Sequence, residues 1–151
     1  MIQQQKIQTI IVIDDDPDDF NLLKEAFGSV DSRIDVIHIA SCEAGRNYKG
    51  ALPDLVFLDL NMPDYDGFHW LNGIREKAEK ELPLIVFTTS SNTQHISKAY
   101  TLGANLFFTK PNSFGTLLKG IQKILEMDWQ KPAHITKRFF NEGKCLPLQV
   151  A

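Results

Sequence analysis

Five positions carry the chemistry open to this chain: the acidic pair Asp14 and Asp15, the single Asp59, Thr88, and Lys110 ahead of Pro111. Each ends or follows a short apolar run. Three carboxylates brought to one place repel, and the repulsion is relieved by a proton or by a bound cation. A cation is the simpler answer. Donors that are all oxygen select a hard ion, and a small cluster with room for water and a phosphoryl oxygen suits Mg2+, with Mn2+ as a substitute, better than a caged Ca2+. With the charge neutralised, one carboxylate can attack phosphorus and become an acyl phosphate, and Asp59 is the candidate. Lys110 would then meet the phosphoryl oxygens, while Thr88 would donate a hydrogen bond to the new group and draw the following loop toward it.

For these side chains to meet, the runs before them must be strands of one parallel sheet, whose carboxyl ends share an edge where ligands bind. Runs at Thr9–Ile13, Ile34–Ala40, Leu55–Leu58, Leu84–Thr88 and Leu106–Thr109 alternate with longer helical stretches, the pattern of an α/β sheet covered on both faces. Four runs are almost uninterrupted apolar, as strands buried on both sides must be. Ile34–Ala40 carries Asp35 and His38 and reads as an edge strand. The first helix is predicted to start at Asp16 as cap and Pro17 at the first helical position, with Asp18 and Asp19 facing the positive end of the dipole and Gly28 as the stop. Asp66 is likewise read as a cap. Phe114, Leu117, Leu118, Ile121, Ile124 and Leu125 form one apolar stripe on a last helix. The helix over Thr93–Leu102 offers the core mainly Ile96, Ala99 and Tyr100, so it is expected to be the element most ready to shift.

At 151 residues the chain is about one domain. A net charge of -3 without a Lys/Arg block argues against nucleic acid as a partner and for a protein one. No apolar run approaches the ~20 residues that cross a bilayer, and the N-terminus has no secretory h-region, so a cytoplasmic protein without membrane contact is expected. Cys42 and Cys145 lack metal or redox spacing, and the four histidines lack ligand spacing, so neither set is assigned a role. The boundaries expected are a single unit over 1–127 and a tail over 128–151 with no separate output domain. Trp129, Ile135, Phe139 and Phe140 make that tail more apolar than solvation requires, and it is expected to extend a helix, wrap the surface or enter a dimer contact.

Four segments carry a resemblance: IIVIDDDPDD at 10–19, LVFLDLNMPDYDGFHWL at 55–71, LPLIVFTTSSN at 82–92 and GANLFFTKP at 103–111. From about Lys6 to Met127 the chain resembles the response-regulator receiver family of bacterial two-component signalling. The resemblance implies a flavodoxin-like (βα)5 fold with a five-stranded parallel sheet in the order 2-1-3-4-5, which alternation alone does not fix. It further implies that Asp59 takes a phosphoryl group from the phosphohistidine of a kinase or phosphotransfer protein. Asp15, Asp59 and the backbone carbonyl of Asn61 would hold Mg2+, Asp14 would act through water, and Asn61 and Ser90 would tune the lifetime of the phosphate. Phe107 stands where the family's rotating aromatic sits, here without a tyrosine hydroxyl, and the Lys110–Pro111 bond is expected to be cis. DDDPDD and TTSSN are similar to small stand-alone receivers, including those that serve bacterial phytochromes, and a homodimer through the last strand and helix is one partner expected.

Other classes fit less well. A phosphatase of the haloacid dehalogenase type needs an acid where Asn61 stands, and a flavodoxin-like cofactor binder would be repelled by DDDPDD. The expectation is therefore a signalling protein, not an enzyme, that catalyses only its own phosphorylation and dephosphorylation. It would pass the signal to a protein target or relay the phosphate. The alternative is a receiver-like module that binds partners without phosphorylation.

Overall fold

The computed structural model describes residues 7–50, 52–62, 65–76 and 82–150, without the side chains of Cys42, Arg46 and Tyr65. The N-terminal segment for which no leader is expected thus lies mostly outside the described residues, as does the thiol of Cys42. Five strands, β1 (Thr9–Ile13), β2 (Asp35–Ile39), β3 (Leu55–Leu58), β6 (Leu84–Thr88) and β7 (Leu106–Thr109), pair in parallel in the order β2-β1-β3-β6-β7. Counting these five alone, the order is 2-1-3-4-5. Between β3 and β6 the chain makes a short antiparallel pair, β4 (Asn61–Met62) and β5 (Tyr65–Asp66).

β3 and β6 are buried at every position, whereas β2 at the edge leaves Asp35 exposed and His38 half-buried, as its mixed composition requires. Helices α1 (Pro17–Val30), α2 (Cys42–Arg46), α3 (Gly67–Glu76), α4 (Thr93–Thr101) and α5 (Phe114–Glu126) cover the sheet. The Asp16 side chain caps α1 by accepting from the Asp18 N–H. The helix does not stop at Gly28: it runs to Val30, and the Asp31 N–H closes it on the Phe27 carbonyl. A helical glycine costs only ~1 kcal/mol against alanine, less than the burial of the neighbouring Phe27 repays. Asp66 accepts from the Phe68 N–H, as a cap does.

After α5 the tail forms α6 (Pro132–Phe139) and a hairpin of β8 (Phe140–Asn141) and β9 (Lys144–Cys145), turned at Gly143 with φ 70°. It wraps the open edge of β7. The Leu148 N–H bonds the Phe107 carbonyl at 2.7 Å, and the Tyr100 hydroxyl accepts from the Phe107 N–H at 3.1 Å while donating to the Leu146 carbonyl at 2.7 Å. Trp129, Ile135, Phe139 and Leu148 are buried. Of the apolar tail residues that made a dimer contact one expectation, Trp129, Ile135 and Phe139 pack within the chain, and Phe140 is half-buried against the Tyr100 ring. α4 does turn Ile96, Ala99 and Tyr100 inward, but Tyr100 ties it to both β7 and the tail.

Candidate functional site at the carboxyl edge of the sheet

Main-chain bonds continue one residue beyond three strands: Asp14 N–H to Ile39 O, Asp59 N–H to Ile13 O, and Lys110 N–H to Thr88 O. The sheet itself therefore holds Asp14, Asp59 and Lys110 at its carboxyl edge. One carboxylate oxygen from each of Asp14, Asp15 and Asp59 lies within 4.8 Å of the others, with Asp14 and Asp59 buried and Asp15 exposed. Lys110 bridges the two buried ones: its Nζ donates to Asp14 Oδ2 at 3.0 Å and to Asp59 Oδ2 at 3.2 Å. Across the site, Asn61 donates its backbone N–H to Asp59 Oδ1 at 3.1 Å and its side-chain amide to Thr88 Oγ1 at 3.1 Å.

Gly67 begins α3 directly over Asp59 and Leu60, and a Cβ there would collide with the Leu60 backbone. Only glycine lets this helix approach the end of β3 so closely. Ser90 and Phe107 stand apart from the carboxylates. The Ser90 hydroxyl pairs with His95 Nδ1 at 2.7 Å and accepts from the Asn92 N–H, and the Phe107 ring is fully buried. The Lys110–Pro111 peptide is trans rather than cis. Isomers at X–Pro differ intrinsically by under about 1 kcal/mol, so local contacts decide between them.

Two polar contacts escaped the sequence reading. Asp19, read there only as a first-turn charge, accepts from Lys110 Nζ at 2.6 Å. His38 Nε2 lies 2.6 Å from the Asp14 carbonyl and must donate to it, its ring stacked on Phe20 at 4.3 Å. This bond braces the turn that aims the acidic pair. Its position on an edge strand beside Asp14 was the available signal.

Burial lowers the affinity of Lys110 for its proton, but the bond to Asp19 and the charges of Asp59 and Asp14 outweigh it, so the amine is held firmly as a cation. Asp14 is pushed up to about 6, chiefly by burial, against the lowering effects of the Asp16 N–H and of Lys110, with Asp59 adding to the rise. Because the folded value lies above the ordinary 3.8, this group favours the folded state below pH 4 and loses that contribution as pH rises through 6. In chelator, the unfolding free energy from urea titration is expected to fall between pH 5 and 7 by on the order of 1–2 kcal/mol more in the wild type than in Asp14→Asn. Equal slopes would refute the assignment.

The donor set suits a small divalent cation. Its oxygens are hard, and one from each of three carboxylates converges within 4.8 Å.

Residues 10–122 match the response regulator receiver domain. The chain belongs to the receiver family. Among relatives of this receiver, the response regulator Rcp1 of Synechocystis is 28% identical over 126 residues, covering 78% of this chain and 86% of that protein. The sensory transduction protein BceR of Halalkalibacterium halodurans is 32% identical over 117 residues, 77% of this chain but 49% of its own length. The chain thus spans about half of that relative, and 21% of the protein-glutamate methylesterase of Trichodesmium erythraeum that it also matches. The phosphorylated cyanobacterial phytochrome response regulator RcpA superposes with a TM-score of 0.73 at 27% identity, over 81% of this receiver and 94% of RcpA. The Mn2+-bound form of Rcp1 gives 0.69 at 28% identity, over 78% and 91%. Among the described residues, no helix is long and apolar enough to cross a membrane.

Proposed function

We propose that this receiver is a cytoplasmic response regulator that accepts a phosphoryl group on Asp59 from a sensor histidine kinase or a histidine phosphotransfer protein. The convergence of Asp14, Asp59 and Lys110, with the Asn61–Thr88 bond across the site, is the observation that supports it. An oxygen of Asp59 attacks phosphorus, the bond from phosphorus to the donor nitrogen breaks, and the imidazole keeps the electron pair. Asp15, Asp59 and the Asn61 carbonyl would hold Mg2+ or Mn2+, with Asp14 acting through water. The ion supplies charge neutralisation for the transferring group.

Lys110 donates to the phosphoryl oxygens, and Thr88, whose hydroxyl now accepts from Asn61, turns its proton to the new group. Movement of Thr88 is passed through β6 to β7 and Phe107, whose main-chain groups are tied to α4 and the tail. Asn61 and Ser90 tune the lifetime of the phosphate. The receiver unit runs over 1–127, and residues 128–151 complete it by sealing β7. The output is a change of surface read by a protein partner, or return of the phosphate along a relay.

Intact mass after incubation with acetyl phosphate and Mg2+ tests this. One added phosphoryl group, lost in alkali as an acyl phosphate is and absent when Mg2+ is chelated, is the expected result. No gain from acetyl phosphate or from a panel of phosphorylated kinases would replace this reading with a phosphorylation-independent binding module.

A further inference from the structure

Lys110 has three N–H bonds to give and all three are taken, by Asp19 at 2.6 Å, Asp14 at 3.0 Å and Asp59 at 3.2 Å. A phosphoryl group formed on Asp59 brings further acceptor oxygens, so for Lys110 to reach one of them a present partner must let go. The three partners differ in what release costs. Asp14 is 1% exposed, so parting from the lysine would leave its charge buried without a cation partner. Asp59 carries the new group. Asp19 has the shortest bond, yet its side chain is 29% exposed. It stands in the first turn of α1, where the helix dipole stabilises a free carboxylate. It also borders a cavity of about 90 Å³ whose lining includes Asn112 and Ser113.

From this geometry we infer that Asp19 is a placeholder: it competes with the incoming phosphoryl oxygen for Lys110 and must release the lysine before Asp59 can hold phosphate. Asp19 is a positioning residue, acting on the reaction only through Lys110. It sets how readily the site fills, and its release marks α1 and the neighbouring cavity with the phosphorylation state. The inference rests on Asp59 being the acceptor.

The test compares wild type, Asp19→Asn, Asp19→Glu and Asp18→Asn for the rate of phosphoryl uptake from acetyl phosphate and for the affinity of beryllofluoride, both in Mg2+. Asp19→Asn is expected to gain roughly 3- to 10-fold in both, the range of one partly exposed ionic hydrogen bond. Asp19→Glu, which keeps the charge near Lys110, should return to within about 2-fold of wild type. Asp18→Asn removes an exposed charge from the same turn, and Lys110 has no ion pair with Asp18. It should change neither quantity by more than about 2-fold. A variant that merely loosened α1 would lose affinity rather than gain it. Unchanged or slower uptake in Asp19→Asn, or an equal gain in Asp18→Asn, overturns the placeholder while leaving Asp59 as acceptor. Failure of the wild type to take up phosphate at all overturns the acceptor reading and this inference together.

Discussion

Asp59→Asn is expected to abolish phosphoryl uptake, and Lys110→Met to slow it by roughly 100-fold or more while tightening the cation site. The first follows because the amide offers no anionic oxygen for attack. The second follows from the geometry of the lysine. Its Nζ is the described cation shared by Asp14, Asp19 and Asp59, and none of the neighbouring side chains named at the site could take its place against the phosphoryl oxygens. Methionine keeps the stem and removes the charge, so packing against Phe87, whose ring lies 5.6 Å from Nζ, is largely retained. The three carboxylates then face one another uncompensated, which raises the demand for a divalent ion. Mass spectrometry of uptake and a Mg2+ titration of thermal stability read the two halves separately. A Lys110→Met protein that fills at the wild-type rate, or binds Mg2+ more weakly, would show that the lysine is structural.

The opposite directions of those two effects matter for how the site is understood. In the present arrangement Lys110 does part of the neutralising that a metal would do, at the cost of being fully engaged. A divalent ion held by Asp15 and Asp59 would share in neutralising the carboxylates, while a phosphoryl oxygen at Lys110 would still have to displace the Asp19 carboxylate. On the proposed reading, exchange of Asp19 for phosphate at Lys110 is what would link the chemistry at the sheet edge to helix α1.

Much of this was readable before any coordinates. The bounds of β1, β3, β6 and β7 coincide with the apolar runs because each strand is buried on both faces, and burial of that kind leaves an unbroken stretch in the chain. Asp14, Asp59 and Lys110 could be brought together because the carboxyl ends of parallel strands share an edge, whatever lies between them. Asp19 could not be paired with Lys110 in that way. The two are 91 positions apart, and the contact depends on where α1 rests over the sheet, which periodicity does not report. The tail was legible as apolar but not as structure. An eight-residue helix and two two-residue strands are too short to show a period, and they are ordered by β7 and Tyr100 rather than by their own propensity.

Removing that tail should have the largest effect on stability. Ending the chain after Met127 exposes the surface now covered by Trp129, Ile135, Phe139 and Leu148 and cuts the Leu148 N–H to Phe107 O bond. It also leaves the Tyr100 hydroxyl without its acceptor at Leu146. Replacing Trp129 alone by alanine removes a buried indole whose N–H bonds the Ile124 carbonyl, and about 3 kcal/mol is expected to go with it. The truncated chain should lose more than that, a drop in Tm of roughly 10 °C or greater. It should also self-associate, because an edge strand of Leu106, Phe107 and Phe108 stripped of its cover offers open main-chain groups to another copy. Scanning calorimetry and sedimentation of residues 1–127 at tens of micromolar decide the matter. A truncated chain that melts with the full one and sediments as a monomer would mean that the tail rests on β7 without holding it. A lower Tm with dimer formation would mean that the last 24 residues are part of the fold, and that loosening them uncovers a strand edge ready for a partner.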